Sequence, residues 1–368
     1  MAVASTPPGP RIVAPHACAG QDSTAIRQCA IDPAGRRALT AGRDLRQFDL
    51  HTGASVVLGT APLTAPATGC SRRVRDGRTL FWSDRELLIH SNGDDSVHDP
   101  FQLQGLLQGH LDAALILGRL RLAVASRDAR GQPWLNAFDS LSPTASTLWS
   151  EQRQERTLWM DGFGTDGMAH GRQDGVVELG LIPESGLPHF IDLHGHAGPV
   201  LHGAVAPDDR HLVTAGADLT VRLWSIASDP ILQGSLSAVC QGHTDQITGI
   251  AIAPDGESVA TSSRDRTIRL WSIPEGRSIG VFTEHRDWIT HVAVNPAGTH
   301  LASLSEDRTV KVWDLASHEC VGTAYGVSRW LWLAMSADTV CAGDAAGNLW
   351  MLQYRDGEPE VGASPALP

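Results

Sequence analysis

Three stretches of this chain obey one spacing rule. In the first, Gly195-His196 is followed by Thr214, Asp218 and Trp224. In the second, Gly242-His243 is followed by Thr261, Asp265 and Trp271; in the third, Glu284-His285 by Ser303, Asp307 and Trp313. Histidine precedes aspartate by 22 residues in every copy, the hydroxyl precedes it by 4, and tryptophan follows it by 6. Unrelated strings do not hold three distances in common, so the chain is built from repeats with a period of about 42 to 47 residues. That period decides how a length of 368 residues is read. Size alone suggests two or three domains, whereas repeats of this length can close into one ring.

Apolar residues alternate with period 2, and no helix-period segment exceeds two turns. In the second copy the pattern predicts strands over 247–253, 258–262, 267–273 and 278–282, with turns at Pro254-Asp255-Gly256 and at 264–266. Four antiparallel strands per unit make a propeller blade. Weaker copies lie upstream, at 29–50, at 77–91, from Gly109-His110 through 133–139 with Phe138 in the tryptophan place, and at 157–182. A last copy spans 330–354, with Ala345 and Met351 replacing the aspartate and the tryptophan. The expected fold is all-β: one propeller domain over 11–355 with eight four-stranded blades, seven remaining open because the second and fourth units are degenerate. A ring must hide its strand edges, so residues 11–15 are expected to supply the missing outer strand of the last blade. Residues 1–10 and 356–368 read as disordered tails.

Each polar quartet has a structural purpose. A histidine ahead of the first strand can reach a hydroxyl on the second and a carboxylate in the turn after it, while the indole N–H on the third strand donates to the same hydroxyl. Histidine, hydroxyl, aspartate and tryptophan in this register, with Gly-His and Trp-Asp or Trp-Ser pairs, resemble the structural tetrad of WD-repeat propellers. The resemblance implies a rigid disc whose partners are often contacted on the top face, by residues flanking the tetrad histidine and just before its aspartate. Carried onto this chain, those positions are Arg286, Trp288 and Glu306 in the third copy, Thr244, Gln246 and Arg264 in the second, and Ala197, Pro199 and Ala217 in the first. The last unit offers Arg329 and Asp344. Trp288 and Arg264 stand out, because tryptophan and arginine dominate interface energies; the competing expectation is that Trp288 packs over its neighbouring blade.

Other chemistries find little support. Asp, His and Ser or Thr are also the parts of a hydrolytic triad, but a set written three times and capped by an indole reads as interior bracing. Gly276-Arg277-Ser278-Ile279-Gly280 spells a nucleophile-elbow pattern without the helix it requires. His194 and His196 lack further ligands at metal spacing, and no phosphate-cradling glycine loop occurs. Six scattered cysteines without a C-x-x-C pair fit a reducing cytoplasm. A net charge of −12 disfavours nucleic acid and anionic membrane as partners. Lys311 is the single lysine among 29 basic residues, a bias expected of a GC-rich bacterial genome.

The expected function is a cytoplasmic, non-enzymatic platform without cofactor or metal, a monomeric subunit docking protein partners into a hetero-complex. The alternative is a propeller that holds a small molecule or metal in its central channel, with hydrolase activity. The stretch from Cys341 to Trp350 resembles the closing blade of propellers attached to bacterial signalling NTPases. That likeness implies a sensor or regulatory arm, here for a separately encoded effector.

Overall fold

The computed structural model describes residues 121–139, 145–228 and 231–355 throughout and, ahead of them, the strands between residues 11 and 117. The described strands form eight four-stranded antiparallel sheets, numbered in chain order as blades 1 to 8. Blades 1 to 7 each use four consecutive strands. Blade 8 combines Trp330–Met335, Thr339–Asp344 and Leu349–Arg355 with Arg11–Cys18 from the other end of the chain. Arg11 pairs with Arg355 and Cys18 with Leu349, so this strand covers an edge that would otherwise lie bare. Each blade packs on the next, and Trp330–Met335 of blade 8 packs on Gln28–Ile31 of blade 1, closing the ring. No helix occurs among the described residues, and hence none long and apolar enough to cross a membrane. The tails expected at 1–10 and 356–368 lie outside the described residues.

The core is a series of seams between blades. Trp224 of blade 5 packs with Phe163, Val177 and Leu179 of blade 4. Trp271 of blade 6 packs with Val213, Val221 and Leu223 of blade 5, and Trp313 of blade 7 with Ile268, Leu270 and Phe282 of blade 6. The closing seam sets Ala38 and Phe48 of blade 1 against Trp332, Cys341 and Met351 of blade 8. Burying a large apolar side chain contributes about 1.5–3 kcal/mol, so each indole is a main support of its seam.

The turn between second and third strands repeats across blades and needs a left-handed residue. Gly131, Gly175 and Gly347 supply it in blades 3, 4 and 8 with φ of 78°, 92° and 87°. Leu219, Arg266 and Arg308 hold the same place in blades 5, 6 and 7 with φ of 65°, 70° and 65°. A side chain there costs about 1 kcal/mol.

Pairing register corrects three sequence assignments. The tryptophan lies opposite the residue two before the hydroxyl, as in Leu212–Trp224, Val259–Trp271 and Leu301–Trp313. In blade 3 the corresponding pair is Val124–Asn136, so Asn136 and not Phe138 holds the tryptophan position. The two residues share a face because side chains alternate. Nor does Gly109-His110 match the histidine loop: His110 is exposed, inside the strand Gly109–Leu117 and opposite Arg127. In blade 8, Asp344 N–H bonds the Asn348 carbonyl just as Gly216 N–H bonds that of Thr220. Ala346 and Leu352 therefore hold the aspartate and tryptophan positions, one residue beyond Ala345 and Met351.

Deleting residues 1–18 is expected to bare the edge of Leu349–Arg355 and turn a monodisperse protein into self-associating species, checked by light scattering behind size exclusion. An unchanged monomer with an unchanged melting temperature would show that Arg11–Cys18 does not close the ring.

Candidate functional site

The three strong quartets share one geometry. In blade 5, His196 Nε2 lies 2.8 Å from Thr214 Oγ1, His196 Nδ1 lies 3.0 Å from an Asp218 carboxylate oxygen, and Trp224 Nε1 lies 2.8 Å from Thr214 Oγ1. Blade 6 repeats this with His243 at 2.9 Å from Thr261 and 2.7 Å from Asp265, and Trp271 at 2.9 Å from Thr261. In blade 7 the distances are 2.7 Å for His285–Ser303, 2.9 Å for His285–Asp307 and 2.9 Å for Trp313–Ser303. Around a neutral imidazole the proton wiring is fixed. An indole can only donate and an ionised carboxylate can only accept. Each hydroxyl therefore accepts from the indole and donates to Nε2, and Nδ1–H of a neutral histidine donates to the aspartate.

Two further residues donate to each aspartate, and the repeat spacing alone did not reveal them. Thr220, Thr267 and Thr309, two residues after Asp218, Asp265 and Asp307, donate through their hydroxyls at 2.8, 2.7 and 2.6 Å. The backbone N–H groups of Ala197, Thr244 and Arg286 donate to the same carboxylates at 2.9–3.0 Å. Burial works against the charged form of Asp265 and Asp307, but bonds from His243 with Thr267, and from His285 with Thr309, hold both carboxyls well below the usual range. Burial depresses the pKa of His196, which fits the neutral ring. Thr214, Thr261 and Ser303 are fully buried and bonded on both sides. They have no open face from which to attack a substrate.

Where the quartet is missing, other groups fill its place. In blade 3, Asn136 Nδ2 donates to Ser126 Oγ at 3.3 Å and Ser150 Oγ donates to Asn136 Oδ1 at 2.7 Å. In blade 4 the equivalent positions carry Arg153, His170, Asp174 and Gly180. Phe190 occupies the space a side chain at Gly180 would need. The buried Glu178 carboxylate faces His170 Nε2 at 3.4 Å, Arg172 at 3.4 Å and Arg153 at 2.8 Å. That last contact is close, but its N–H groups do not point at the carboxylate, so it is a charge contact rather than a hydrogen bond. In blade 8, Asp344 is buried and accepts bonds from Trp350 Nε1 and Asn348 Nδ2. It is a brace, not the exposed rim residue expected from the sequence.

The exposed rim is assembled by a second repeating bond. The carbonyls of Arg156, Pro199, Gln246, Trp288 and Arg329, each just ahead of a first strand, accept from the backbone N–H of Gln173, Ala217, Arg264, Glu306 and Ala345 at 2.8–3.1 Å. Side chains then link neighbouring blades. The Arg264 guanidinium of blade 6 lies 4.7 Å from the Trp288 ring centre in blade 7, and Arg329 of blade 8 pairs with Glu306 of blade 7 at 2.8 Å through Nε. Trp288 is 45% exposed. The indole is thus half open and capped on one face by its neighbouring blade, part-way between the two expectations. Arg286 is exposed beside it and Gln246 half-buried. Residues the spacing did not single out join this sector: Arg308, whose carbonyl accepts from Gly326 N–H and Trp330 Nε1, and the exposed Tyr325 and Val327.

Two outcomes test the bracing. Thr261→Val leaves His243 and Trp271 short of a buried partner and is expected to cost about 1–3 kcal/mol in urea unfolding. A change below the error of that measurement would deny the quartet its role. Acidification is expected to destabilise the fold from both partners. The depressed His196 contributes fully above its unfolded pKa of about 6.5 and loses that contribution as pH falls below it. The depressed carboxyls lose theirs as pH falls below about 4. A urea midpoint that rises on acidification would contradict both.

Comparison with known proteins agrees with the geometry. The model of the WD domain, G-beta repeat, matches residues 189–225, 234–272 and 276–314. The chain is 26% identical over 166 residues to WD repeat-containing protein srw1 of Schizosaccharomyces pombe, covering 40% of this chain and 28% of that one. It is 23% identical over 186 residues to cell division cycle 20.6, cofactor of APC complex, of Arabidopsis thaliana, covering 50% and 30%. The matched region spans less than a third of these curated relatives' own length. Among solved structures, the computationally designed Ika8 protein superposes with a TM-score of 0.71 at 19% identity, over 91% of this chain and 98% of that one, a likeness of fold. With a bonded tetrad in each of blades 5 to 7 and a closed ring of four-stranded sheets, this chain is a β-propeller that carries three repeats matching the WD-repeat model.

Proposed function

We propose that residues 11–355 form a non-enzymatic docking domain whose partner is a protein held on the rim of blades 6 to 8, around Trp288, Arg264, Arg286, Gln246, Glu306 and Arg329. The observation that carries this reading is the half-exposed Trp288 with the Arg264 guanidinium on its face. Stacking holds both side chains in place before a partner arrives, and an ordered tryptophan–arginine pair is what dominates interface energies. The WD-repeat relatives include a cofactor of the APC complex, which supports a regulatory role through protein contacts. On this reading the chain is a monomeric subunit of a hetero-complex that recognises or restrains a separately encoded effector. A bacterial signalling or defence system is the setting: the arginine-for-lysine bias supports a GC-rich bacterial source, and the likeness of the stretch from Cys341 to Trp350 to a closing blade of NTPase-attached propellers supports the signalling role. A cytoplasmic location fits Cys240, Cys320 and Cys341, which are free thiols.

Affinity capture from the source organism tests the proposal. Trp288→Ala is expected to weaken retention of the partner about tenfold or more while the melting temperature holds, since hot-spot truncations cost about 2 kcal/mol or more. Equal retention by wild type, Trp288→Ala and Arg264→Ala would move the docking surface elsewhere.

A further inference from the structure

The rim of blades 6 to 8 is close to charge balance, with Arg264, Arg266, Arg286, Arg308, Lys311 and Arg329 against Asp245, Asp265, Glu284, Asp287, Glu306 and Asp307. Net charge is −12 overall, yet the acids of this sector are already engaged. Asp245 and Asp287 each accept the backbone N–H of the following residue, at 2.7 and 2.8 Å. Glu306 is paired with Arg329, and Glu284 with Lys311. Asp265 and Asp307 are committed to their tetrads. By contrast, Arg266, Arg286 and Arg308 are exposed and have no side-chain partner among the described residues. Arg266 and Arg308 also occupy the left-handed turn position that blades 3, 4 and 8 give to glycine, so the fold gains nothing from a side chain there. The same sector exposes three apolar groups: Trp288 at 45%, Tyr325 at 79% and Val327 at 80% exposure.

From this arrangement we infer that the rim recognises an acidic peptide segment carrying at least one bulky apolar side chain. The inference rests on the docking reading above and names its partner's chemistry. Planar guanidinium forks match carboxylates in pairs. Trp288, Tyr325 and Val327 offer contact area to the apolar residue. A nucleic acid fits less well. An extended phosphate backbone needs many neutralising cations, and the spare guanidiniums among the described residues of this rim number only three. A short acidic segment needs no more.

Selection from an unbiased peptide-display library on the full chain tests this, followed by anisotropy measurements on the enriched peptides, their charge-reversed versions and an oligothymidylate. Enriched peptides are expected to be net negative with an aromatic or aliphatic residue and to lose about tenfold or more in affinity at high salt. The variant Arg266→Gly/Arg308→Gly relieves two strained turns, so it should keep or raise the melting temperature while weakening these peptides about tenfold. Neutral or basic peptides that still depend on Trp288 would overturn the acidic preference and leave the docking reading standing. Peptides indifferent to every rim residue would overturn both. Tighter binding of the oligothymidylate with the same arginine dependence, or dimerisation of the chain abolished by the double variant, would assign the rim to those occupants instead.

Discussion

One side chain in each strong repeat does two jobs that cannot be separated. The indole of Trp224, Trp271 or Trp313 lies in the apolar seam with the preceding blade. Its N–H also ends the hydrogen-bond chain that runs through a hydroxyl and a histidine to an aspartate. Buried with no partner, that N–H costs about 1–3 kcal/mol. The N–H groups of Trp159 and Trp332, also in seams, have no hydrogen-bond partner among the described residues, whereas in blades 5 to 7 the hydroxyl removes the penalty. The hydroxyl in turn needs the histidine, and the histidine needs the carboxylate to fix its tautomer. In blades 5 to 7, packing between blades and polar order within a blade are thus coupled through one side chain.

The blades that lack this indole show that the two demands can be met by different residues. In blade 3, Asn136 keeps the donor and gives up the ring. In blade 4, Phe190 supplies the ring from the outer strand, while the polar positions become a buried ionic cluster around Glu178. Burial raises the cost of charging Glu178, but His170, Arg153 and Arg172 hold it below the usual carboxyl range. In blade 8, Leu352 fills the seam, the polar brace moves to Asp344 with Trp350, and the Tyr354 hydroxyl donates to the turn between Trp330–Met335 and Thr339–Asp344 and accepts from Asn295 of blade 7. A ring tolerates this mixture because each seam needs above all a filled volume, whichever residues provide it, and buried atoms of Trp159, Glu178 and Trp332 are left without a hydrogen bond.

This division explains what the sequence revealed. Blades 5 to 7 are legible because a buried four-member chain fixes sequence distances, and a fixed distance is visible in a string of letters. Blades 3 and 8 were placed but misregistered. Phe138 and Asn136 point to the same face, and Asp344 imitates the tetrad aspartate two residues too early. Thr220, Thr267 and Thr309 stood in plain view, yet a threonine opening a strand reads as β propensity. The rim was legible only as positions. Which of its side chains would be free depended on contacts between blades, such as Arg264 over Trp288 and Arg329 with Glu306, and no spacing within one repeat encodes those.

The buried tetrads and the exposed rim are also joined directly. The carboxylate that fixes the histidine tautomer in blades 6 and 7 receives the backbone N–H of Thr244 or Arg286, the first residue of the rim loop. A second bond ties the end of that loop, at Gln246 or Trp288, to the turn carrying Arg264 or Glu306. Each loop is therefore held at both ends by bonds that originate in the core, and its side chains are presented from a backbone with little freedom left to lose. Surfaces ordered before contact surrender less entropy on binding. The same tetrads recur in blade 5, but there the rim positions are Ala197, Pro199 and Ala217, which offer neither charge nor aromatic surface. Identical bracing thus supports an inert sector beside an equipped one, and what distinguishes them is a handful of exposed residues that the fold itself does not require.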